Sequence, residues 1–333
     1  MMHSLHANKP VTGASEKGNY MRFSKTLMAC TAAVSLTLAF GSASAMAKTF
    51  ALVTINQQAL FFNQINDGAK AAAKTAGADL VIFNANNVPS AQNDAIETYI
   101  TQKVDGIILV AIDVNGVKPA VTAAKKAGIP VIAIDAQIPD GDNIAFVGVD
   151  NTKAGGDIGK FYADYVKTNM KGTAKIGVVG ALNSFIQNQR LDGFKKAVAD
   201  SGEKVTFLDT VDGQNVQDVA LSAAENLMTA NPDMTTLYAT GEPALLGAVS
   251  AVTSQGRTGD VKVFGWDLTK QAIEGIDAGW VAGVIQQDPA GEGKAAVEAL
   301  DKASKGGTID KIINVPVTIV TKENVDKFKD MFK

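Results

Sequence analysis

The chain alternates short apolar runs with longer stretches whose apolar residues recur at helical spacing. Residues 106–111 (GIILVA) and 130–134 (PVIAI) are typical of the runs. Strands that are apolar on both faces lie between two layers of helices. Strands separated by helices of about a dozen residues form a parallel sheet. The alternation therefore predicts an α/β fold whose sheets are parallel and covered on both faces.

The predicted elements are too numerous for one compact sheet, so we expect two doubly wound lobes. Ser90 is the predicted N-cap of the second helix. The predicted strands are residues 50–54, 79–83, 106–111, 130–134, 144–149, 175–179, 205–208, 236–238, 261–264, 283–286 and 312–320. The predicted helices are residues 62–77, 90–102, 116–126, 152–169, 189–199, 216–230, 244–254, 269–278, 290–304 and 321–332.

The first 47 residues have the features of a leader that contains a secretory signal peptide. Arg22 and Lys25 precede an apolar run over residues 27–40, and residues 45–47 (AMA) fit an A-x-A cleavage signal. The run is too short for a transmembrane helix, which needs about 20 apolar residues. We expect the start at Met21, cleavage after residue 47, and secretion out of the cytoplasm.

Removal of this leader would remove every histidine and cysteine, which are His3, His6 and Cys30. The remaining chain could form no thiolate nucleophile, Ser-His-Asp triad, histidine-bearing metal site or disulfide. Catalysis would be left to carboxylate, Lys or Tyr groups. A chain without disulfides in an oxidising compartment must be stabilised by its hydrophobic core.

The charge and the glycine pattern exclude several ligand classes. The formal net charge of −3 gives no electrostatic basis for nucleic-acid binding. Residues 291–295 (GEGKA) lack the first glycine and the final Ser/Thr of a phosphate-binding P-loop, so we interpret them as a helix N-terminus. Gly155 and Gly156 lack the glycine triplet that a dinucleotide requires. We therefore expect no cofactor, no metal and no nucleic-acid partner.

Polar and aromatic residues recur just after the predicted strands, where ligands of open parallel sheets bind. Carboxylates and amides bind vicinal hydroxyl groups, and aromatic rings cover the C–H face of a sugar. The candidate residues are Asn56, Gln58, Phe61, Phe62, Asp135, Gln137, Arg190, Glu242, Trp266, Asp267 and Gln287. Together they would suit a neutral polyhydroxylated ligand.

Several of these residues have an alternative structural interpretation. Asp135 is also a common type of turn residue. Phe62 and Trp266 are more often core residues, and Asn56 and Gln58 could be solvated loop amides. Arg190 is harder to explain structurally. Outside the leader only one other arginine occurs, whereas lysines are abundant, so the planar guanidinium at this position suggests bidentate recognition.

In this order and spacing, several short motifs resemble the periplasmic sugar-binding proteins of ABC transporters, in particular the ribose-binding-like group. The motifs are residues 51–54 (ALVT), 61–62 (FF), 67–69 (DGA), 128–135 (GIPVIAID), 150–151 (DN), 155–156 (GG), 190–194 (RLDGF), 265–267 (GWD) and 287–289 (QDP). The resemblance covers residues 48 to about 320. It implies two Rossmann-like lobes joined by a three-strand hinge, with a ligand cleft between them.

The resemblance also implies the bounds of the lobes and the role of some residues. The N-terminal lobe would comprise residues 48–150 and about 288–316. The C-terminal lobe would comprise residues 151–287 and about 317–333. The ligand aspartates would be Asp135 and Asp267, with Arg190 and Gln287 as further polar contacts. The stacking aromatics would be Phe61, Phe62 and Trp266.

The chain departs from the family pattern at several positions around this cleft. Ala136 replaces a frequent arginine, and Gly241, followed by Glu242, replaces a frequent asparagine. Residues 110–111 (VA) replace a polar position, and the first loop lacks its usual proline. The pocket has thus lost polar contacts, so another pentose, a polyol or a smaller ligand is as compatible as ribose.

We therefore expect a monomeric, non-catalytic binding protein that delivers a neutral monosaccharide or polyol to an inner-membrane ABC permease and its ATPase. One alternative is a receptor that serves chemotaxis or signalling, which would have the same fold and pocket. Another is a secreted glycosidase that uses Asp135 and Asp267 as its carboxylate pair.

Overall fold

The structure is a computed structural model that describes residues 47–57 and 60–332. The predicted signal peptide, with its start at Met21, and Gln58 lie outside the described residues. Within the described part of the chain, no helix is long and apolar enough to cross a membrane.

The first sheet has six parallel strands in the order β11-β5-β4-β3-β1-β2. Its strands are β1 (Thr49–Thr54), β2 (Asp79–Asn84), β3 (Gly106–Leu109), β4 (Val131–Ile134), β5 (Ala145–Gly148) and β11 (Ile312–Asn314). The helices α1 (Leu60–Ala76), α2 (Pro89–Gln102), α3 (Lys118–Lys126) and α9 (Pro289–Ser304) cover it.

The second sheet also has six strands, in the order β12-β10-β9-β8-β6-β7, and only β12 is antiparallel to its neighbour. Its strands are β6 (Thr173–Gly180), β7 (Lys204–Asp212), β8 (Thr236–Ala239), β9 (Lys262–Trp266), β10 (Val281–Gln286) and β12 (Thr318–Val320). The associated helices are α4 (Asn151–Asn169), α5 (Phe185–Ser201), α6 (Gln217–Ala230), α7 (Glu242–Ser254) and α8 (Lys270–Ala278). The two sheets share one strand order, which confirms the predicted α/β fold of two doubly wound lobes.

Each sheet is buried on both faces, as its continuous apolar strands require. In β1, Phe50 and Leu52 pack against α1 and α9, whereas Ala51 and Val53 point to the opposite core under α2 and α3. This alternation follows from the two-residue period of a strand. The carboxyl ends of the parallel strands are thereby fixed at one edge of each sheet.

Close contacts between helices explain why two positions, Gly155 and Gly293, are glycine. A Cβ atom on Gly293 of α9 would lie 2.1 Å from the Ile65 oxygen of α1. A Cβ atom on Gly155 of α4 would lie 2.1 Å from the Arg190 oxygen of α5. Gly293 therefore has a packing role at this helix N-terminus, because the absence of a side chain lets the backbones of α9 and α1 approach.

The chain passes between the sheets three times, after β5, after β10 and between β11 and β12. Two of these connections touch, since Asp150 N donates to Asn314 Oδ1 at 2.8 Å and Val315 N donates to Gly148 O at 2.9 Å. The predicted bounds of the lobes near residues 150, 287 and 317 stay a prediction.

Three local predictions were wrong. Residues 312–320 form two short strands, one in each sheet, because Pro316 lies between them. Residues 321–332 form two short 3₁₀ turns, Val325–Lys327 and Lys329–Phe332, in place of an α-helix. Ser90 lies inside α2, whose N-cap is Val88, because Pro89 takes the first helical turn, where its missing N–H costs nothing.

Candidate functional site

A cavity of about 490 Å³ lies where the carboxyl ends of strands from both sheets face each other. From the first sheet's side it is lined by Leu60, Phe61, Phe62, Gln64 and Asp135. From the second sheet's side it is lined by Asn215, Glu242, Asp267, Leu268, Gln286 and Gln287, and from the last described segment by Met331 and Phe332. A larger groove of about 730 Å³ runs between α1 and α9, but its lining has no aromatic side chain. We therefore place the candidate site at the smaller cavity.

The two aspartates of the cavity have the same backbone geometry. Asp135 directly follows β4, Asp267 directly follows β9, and their φ angles are 61° and 63°. The left-handed region is rare for residues other than glycine, but Asp and Asn tolerate it. In this conformation each strand ends in a turn, and each aspartate lies on the cavity wall.

Arg190 lies just behind the cavity wall and is 7% exposed. Its Nε donates to Asn151 Oδ1 at 2.9 Å, and its Nη1 donates to Thr240 O at 3.1 Å. Nη1 also lies 3.7 Å from Asp267 Oδ2, so the guanidinium provides a positive charge next to one cavity carboxylate. Fixed in this way, Arg190 is oriented before a ligand arrives.

A group of buried aromatic rings packs against the guanidinium of Arg190. Its Cζ atom lies 3.9 Å from the ring centroid of Trp266, and Trp266 Nε1 donates to the Tyr238 hydroxyl at 2.7 Å. Tyr238 in turn stacks on Phe194, with ring centroids 3.9 Å apart. Because Trp266 is fully buried, its ring positions the guanidinium and does not line the cavity. Arginine suits this place because a planar cation can stack on an aromatic ring and still donate at its edge.

Two glutamines at the end of β10 form hydrogen bonds that hold Asp267 and the residue after it in place. Gln287 Nε2 donates to Asp267 Oδ1 at 2.7 Å, which fixes the carboxylate. Gln286 Oε1 accepts from Leu268 N at 3.0 Å, and Gln286 Nε2 donates to Gln287 O at 3.0 Å. A ligand hydroxyl at Asp267 would therefore meet an ordered acceptor.

Phe61 and Phe62 form the aromatic part of the opposite wall. Their ring centroids lie 5.5 Å apart at an interplanar angle of 88°. This edge-to-face geometry is the arrangement that aromatic quadrupoles favour. The first turn of α1 thus presents an apolar surface to the cavity.

The carboxyl groups of this region share a low-dielectric environment. Burial raises the pKa of Asp135 to about 6, the charge of Asp267 adds to that rise, and Arg190 opposes it. Burial and the charge of Asp267 also raise the pKa of Glu242. Burial, followed by the charge of Asp135, raises the pKa of Glu292 in α9 well above its ordinary value.

The structure brings together most of the predicted residues but not all of them. Phe61, Phe62, Asp135, Glu242, Asp267 and Gln287 line the cavity, and Arg190 and Trp266 support it. Asn56 lies off the cavity lining and donates to Asn87 Oδ1 at 3.2 Å. Gln137 lies two residues beyond Asp135, is exposed and does not line the cavity.

Other residues of the site were missed by sequence reasoning. Asn215 follows β7, and Gln286 immediately precedes the predicted Gln287, so both carry the same sequence signal of a polar side chain at a strand end. Met331 and Phe332 carried no such signal, because they follow no strand of a parallel pair and reach the cavity only through tertiary packing. Within the described residues, no group of three or more His, Cys, Asp or Glu side chains is placed to hold a metal ion.

Comparison with known proteins identifies the class of this chain. The family model described as "Periplasmic binding protein domain" matches residues 50–308. The match covers most of the chain, so the chain belongs to this family. The resemblance inferred from the sequence motifs is thus confirmed.

Individual relatives narrow the comparison. The chain is 31% identical over 301 residues to the ribose import binding protein of Escherichia coli (strain K12), covering 90% of this chain and 99% of that protein. It is 28% identical to the xylitol-binding protein of Mycolicibacterium smegmatis, covering 82% of this chain and 77% of that protein.

A solved structure has the same fold. The periplasmic solute-binding protein of an ABC transporter from Actinobacillus succinogenes, with bound D-allose, matches with a TM-score of 0.73 at 26% identity. The match covers 84% of this chain and 99% of that chain.

Proposed function

We propose that this protein is the substrate-binding component of an ABC importer, which captures a neutral monosaccharide or polyol in the periplasm. The observation that carries this proposal is the cavity at the facing strand ends. It combines two equivalent aspartates, a guanidinium held beside one of them, and aromatic rings on the opposite wall. Relatives are named for binding ribose and xylitol, and one solved relative holds D-allose.

The charge balance of the cavity favours a neutral ligand. Asp135, Asp267 and Glu242 line the cavity, whereas Arg190 is the one cation placed beside these carboxylates among the described residues. A carboxylate or phosphate on the ligand would meet net negative charge in a partly buried site. Hydroxyl groups, in contrast, can donate to carboxylates and accept from amide and guanidinium groups.

The connections between the sheets fit a closure mechanism. Three short segments join the lobes, so a small rotation about them would bring the two cavity walls together around the ligand. The closed form is the one that we expect an inner-membrane permease, driven by its ATPase, to recognise. We propose that the binding protein works as a monomer.

Binding without turnover is part of the proposal. A glycosidase would need a carboxylic acid of raised pKa beside a free carboxylate, and the pKa of Asp135 is raised to about 6. Asp267, however, accepts a hydrogen bond from Gln287 and faces Arg190, which suits a fixed binding group. The relatives are named as transport binding proteins, which also supports a binding role.

The test is a calorimetric and thermal-shift screen of D-ribose, D-allose, xylitol and D-ribonate. A bound ligand at 100 times its Kd should stabilise the folded protein by about 2.7 kcal/mol. We expect a neutral compound to bind best, with an affinity that changes little with salt, because buried hydrogen bonds are weakly screened. The recovered ligand should be chemically unchanged. A preference for D-ribonate, or a steep fall of affinity with salt, would refute the proposal.

A further inference from the structure

The last described segment of the chain returns to the cavity. After β12, two 3₁₀ turns carry the backbone past α8, and the side chains of Met331 and Phe332 line the same cavity as Asp135 and Asp267. We propose that Phe332, with Met331 beside it, contacts the ligand and helps to set the specificity of the site. This inference rests on the proposed function, because it assumes that the cavity binds a sugar or polyol.

Hydrophobic anchors fix the segment on the second lobe. Val325 is 1% exposed and belongs to the core cluster that also contains Leu268 and Val320. Phe328 and Phe332 are partly buried against the same cluster. Because Leu268 also lines the cavity, the ring of Phe332 extends the hydrophobic core up to the cavity wall.

A charged contact ties the segment to the helix that follows Asp267. Lys329 Nζ lies 2.9 Å from Asp277 Oδ2 in α8 and 2.7 Å from Asp326 Oδ1. The α8 helix begins at Lys270, just beyond Asp267 and Leu268. The segment that carries Phe332 is therefore attached to the helix that follows the second cavity aspartate.

The chemistry of Phe332 complements the wall across the cavity. Phe61 and Phe62 line the cavity from α1 of the other lobe, and Phe332 and Met331 add apolar surface from the second lobe. Sugars and polyols have C–H faces that pack on aromatic rings, while their hydroxyls point to polar groups at the edges. Two apolar walls would bind such a molecule between them and leave Asp135 and Asp267 for its hydroxyls.

Such walls also favour some ligands over others. A ligand with hydroxyl groups directed at the Phe332 ring would lose hydrogen bonds to water without replacing them. Removing the ring should therefore weaken binding of the preferred ligand more than binding of the others. The Kd values of the compounds should then differ less from one another. If Phe332 had a purely structural role, its removal would change the affinity for all ligands by the same factor.

The experiment measures the Kd of D-ribose, D-allose and xylitol by calorimetry for wild type and four variants, Phe332→Ala, Phe332→Tyr, Phe328→Ala and Met331→Ala. For Phe332→Ala we expect about tenfold weaker binding of the preferred compound, because about half of a buried aromatic contact is lost. Phe332→Tyr keeps the ring and should bind within about twofold of wild type. The matched control is Phe328→Ala, since Phe328 packs on the same core but does not line the cavity.

The outcomes separate the two proposals. If wild type binds none of the three compounds, the proposed function and this inference both fall. If wild type binds and Phe332→Ala matches it, only this inference is overturned. Equal weakening by Phe328→Ala and Phe332→Ala would also overturn it, because the segment would then act through folding. Thermal unfolding without ligand checks that each variant is folded, and Met331→Ala, expected to bind several-fold more weakly, provides an independent second variant.

Discussion

Asp135 and Asp267 occupy equivalent positions in the two sheets, each directly after the fourth strand in its lobe. The N–H of Asp135 donates to Val147 O of β5 at 2.9 Å, and the N–H of Asp267 donates to Ile285 O of β10 at 2.7 Å. Their φ angles differ by only a few degrees. The two lobes thus present the same turn, with a carboxylate at its apex, to a shared cavity.

This equivalence predicts the effect of removing either carboxylate. Hydrogen bonds to charged groups contribute about 1.5–3 kcal/mol each, so an aspartate that binds two hydroxyls should account for a hundredfold or more in Kd. We expect Asp135→Asn and Asp267→Asn each to weaken binding of the preferred sugar by at least that factor in calorimetric titrations. Asparagine tolerates the left-handed backbone, so the variants should remain folded.

Asp140→Asn is the matched control for these two variants. Asp140 also has a positive φ angle, of 54°, but it is exposed and lies outside the cavity lining. The affinity of Asp140→Asn for the ligand should equal that of wild type. If both cavity variants bind normally while Glu242→Ala abolishes binding, the ligand is held by a different set of residues.

A second prediction concerns the guanidinium of Arg190. Arg190→Lys would lose the stacking on Trp266 and could not satisfy both Asn151 and Thr240 in the present geometry. We expect weaker ligand binding and a free energy of unfolding lower by about 1–3 kcal/mol, measured in urea. Arg257→Lys is the control, because Arg257 donates to the carbonyls of Pro232 and Met234 at a distance from the cavity. That change should affect stability alone, and normal binding by Arg190→Lys would contradict the assigned role.

The strand ends were the part of the site that sequence reasoning could locate. Asp135, Asp267 and Gln287 each follow a strongly apolar strand, and the topology of parallel sheets brings such positions together. The same reasoning predicts Asn56 and Gln137 in the site, but neither residue lines the cavity. Whether a side chain beyond a strand faces the cavity depends on the local backbone, which spacing does not give: Asn56 is bonded to Asn87, and Gln137 is exposed.

Other features depend on contacts between distant parts of the chain. Phe332 reaches the cavity because Val325 and Phe328 pack on the core of the second lobe, which no local pattern encodes. The sequence indicates only a helix N-terminus at residues 291–295, yet Glu292 is fully buried there, and the adjacent Gly293 lies where α9 approaches α1 closely. Such features follow from packing and could not be predicted from periodicity or spacing.

A third prediction follows from the raised pKa of Asp135. The folded protein holds this proton up to about pH 6, whereas aspartates of unfolded chains lose it near pH 3.9. Stability from this group is therefore complete below about pH 3.9 and is lost as the pH rises through about 6. In urea unfolding, the free energy of unfolding of Asp135→Asn minus that of wild type should increase by on the order of 1–3 kcal/mol between pH 4.5 and pH 8. A difference that does not change with pH would show that Asp135 titrates normally.

The final prediction concerns Glu292, whose side chain is fully buried in the first turn of α9. Neither carboxylate oxygen has a hydrogen-bond partner among the described residues. Its charged neighbours are Asp135, Asp288 and Asp267, with Arg190 as the one opposing charge that acts on it in the described part of the chain. Ionisation there would place an unpaired charge in a low-dielectric interior beside other carboxylates, so the folded state favours the protonated acid.

Glu292→Gln should therefore stabilise the protein as the pH rises. The amide keeps the shape of the protonated acid but cannot ionise, so wild type loses stability relative to the variant as the pH passes the raised pKa of Glu292. We expect thermal unfolding to give similar midpoints at pH 5 and a higher midpoint for the variant at pH 8, equivalent to about 1–3 kcal/mol. Glu298→Gln, an exposed change on the same helix beside Lys294, should leave the midpoint nearly unchanged at both pH values. A variant that is less stable than wild type at pH 8 would mean that Glu292 is ionised and held by a partner in the folded protein.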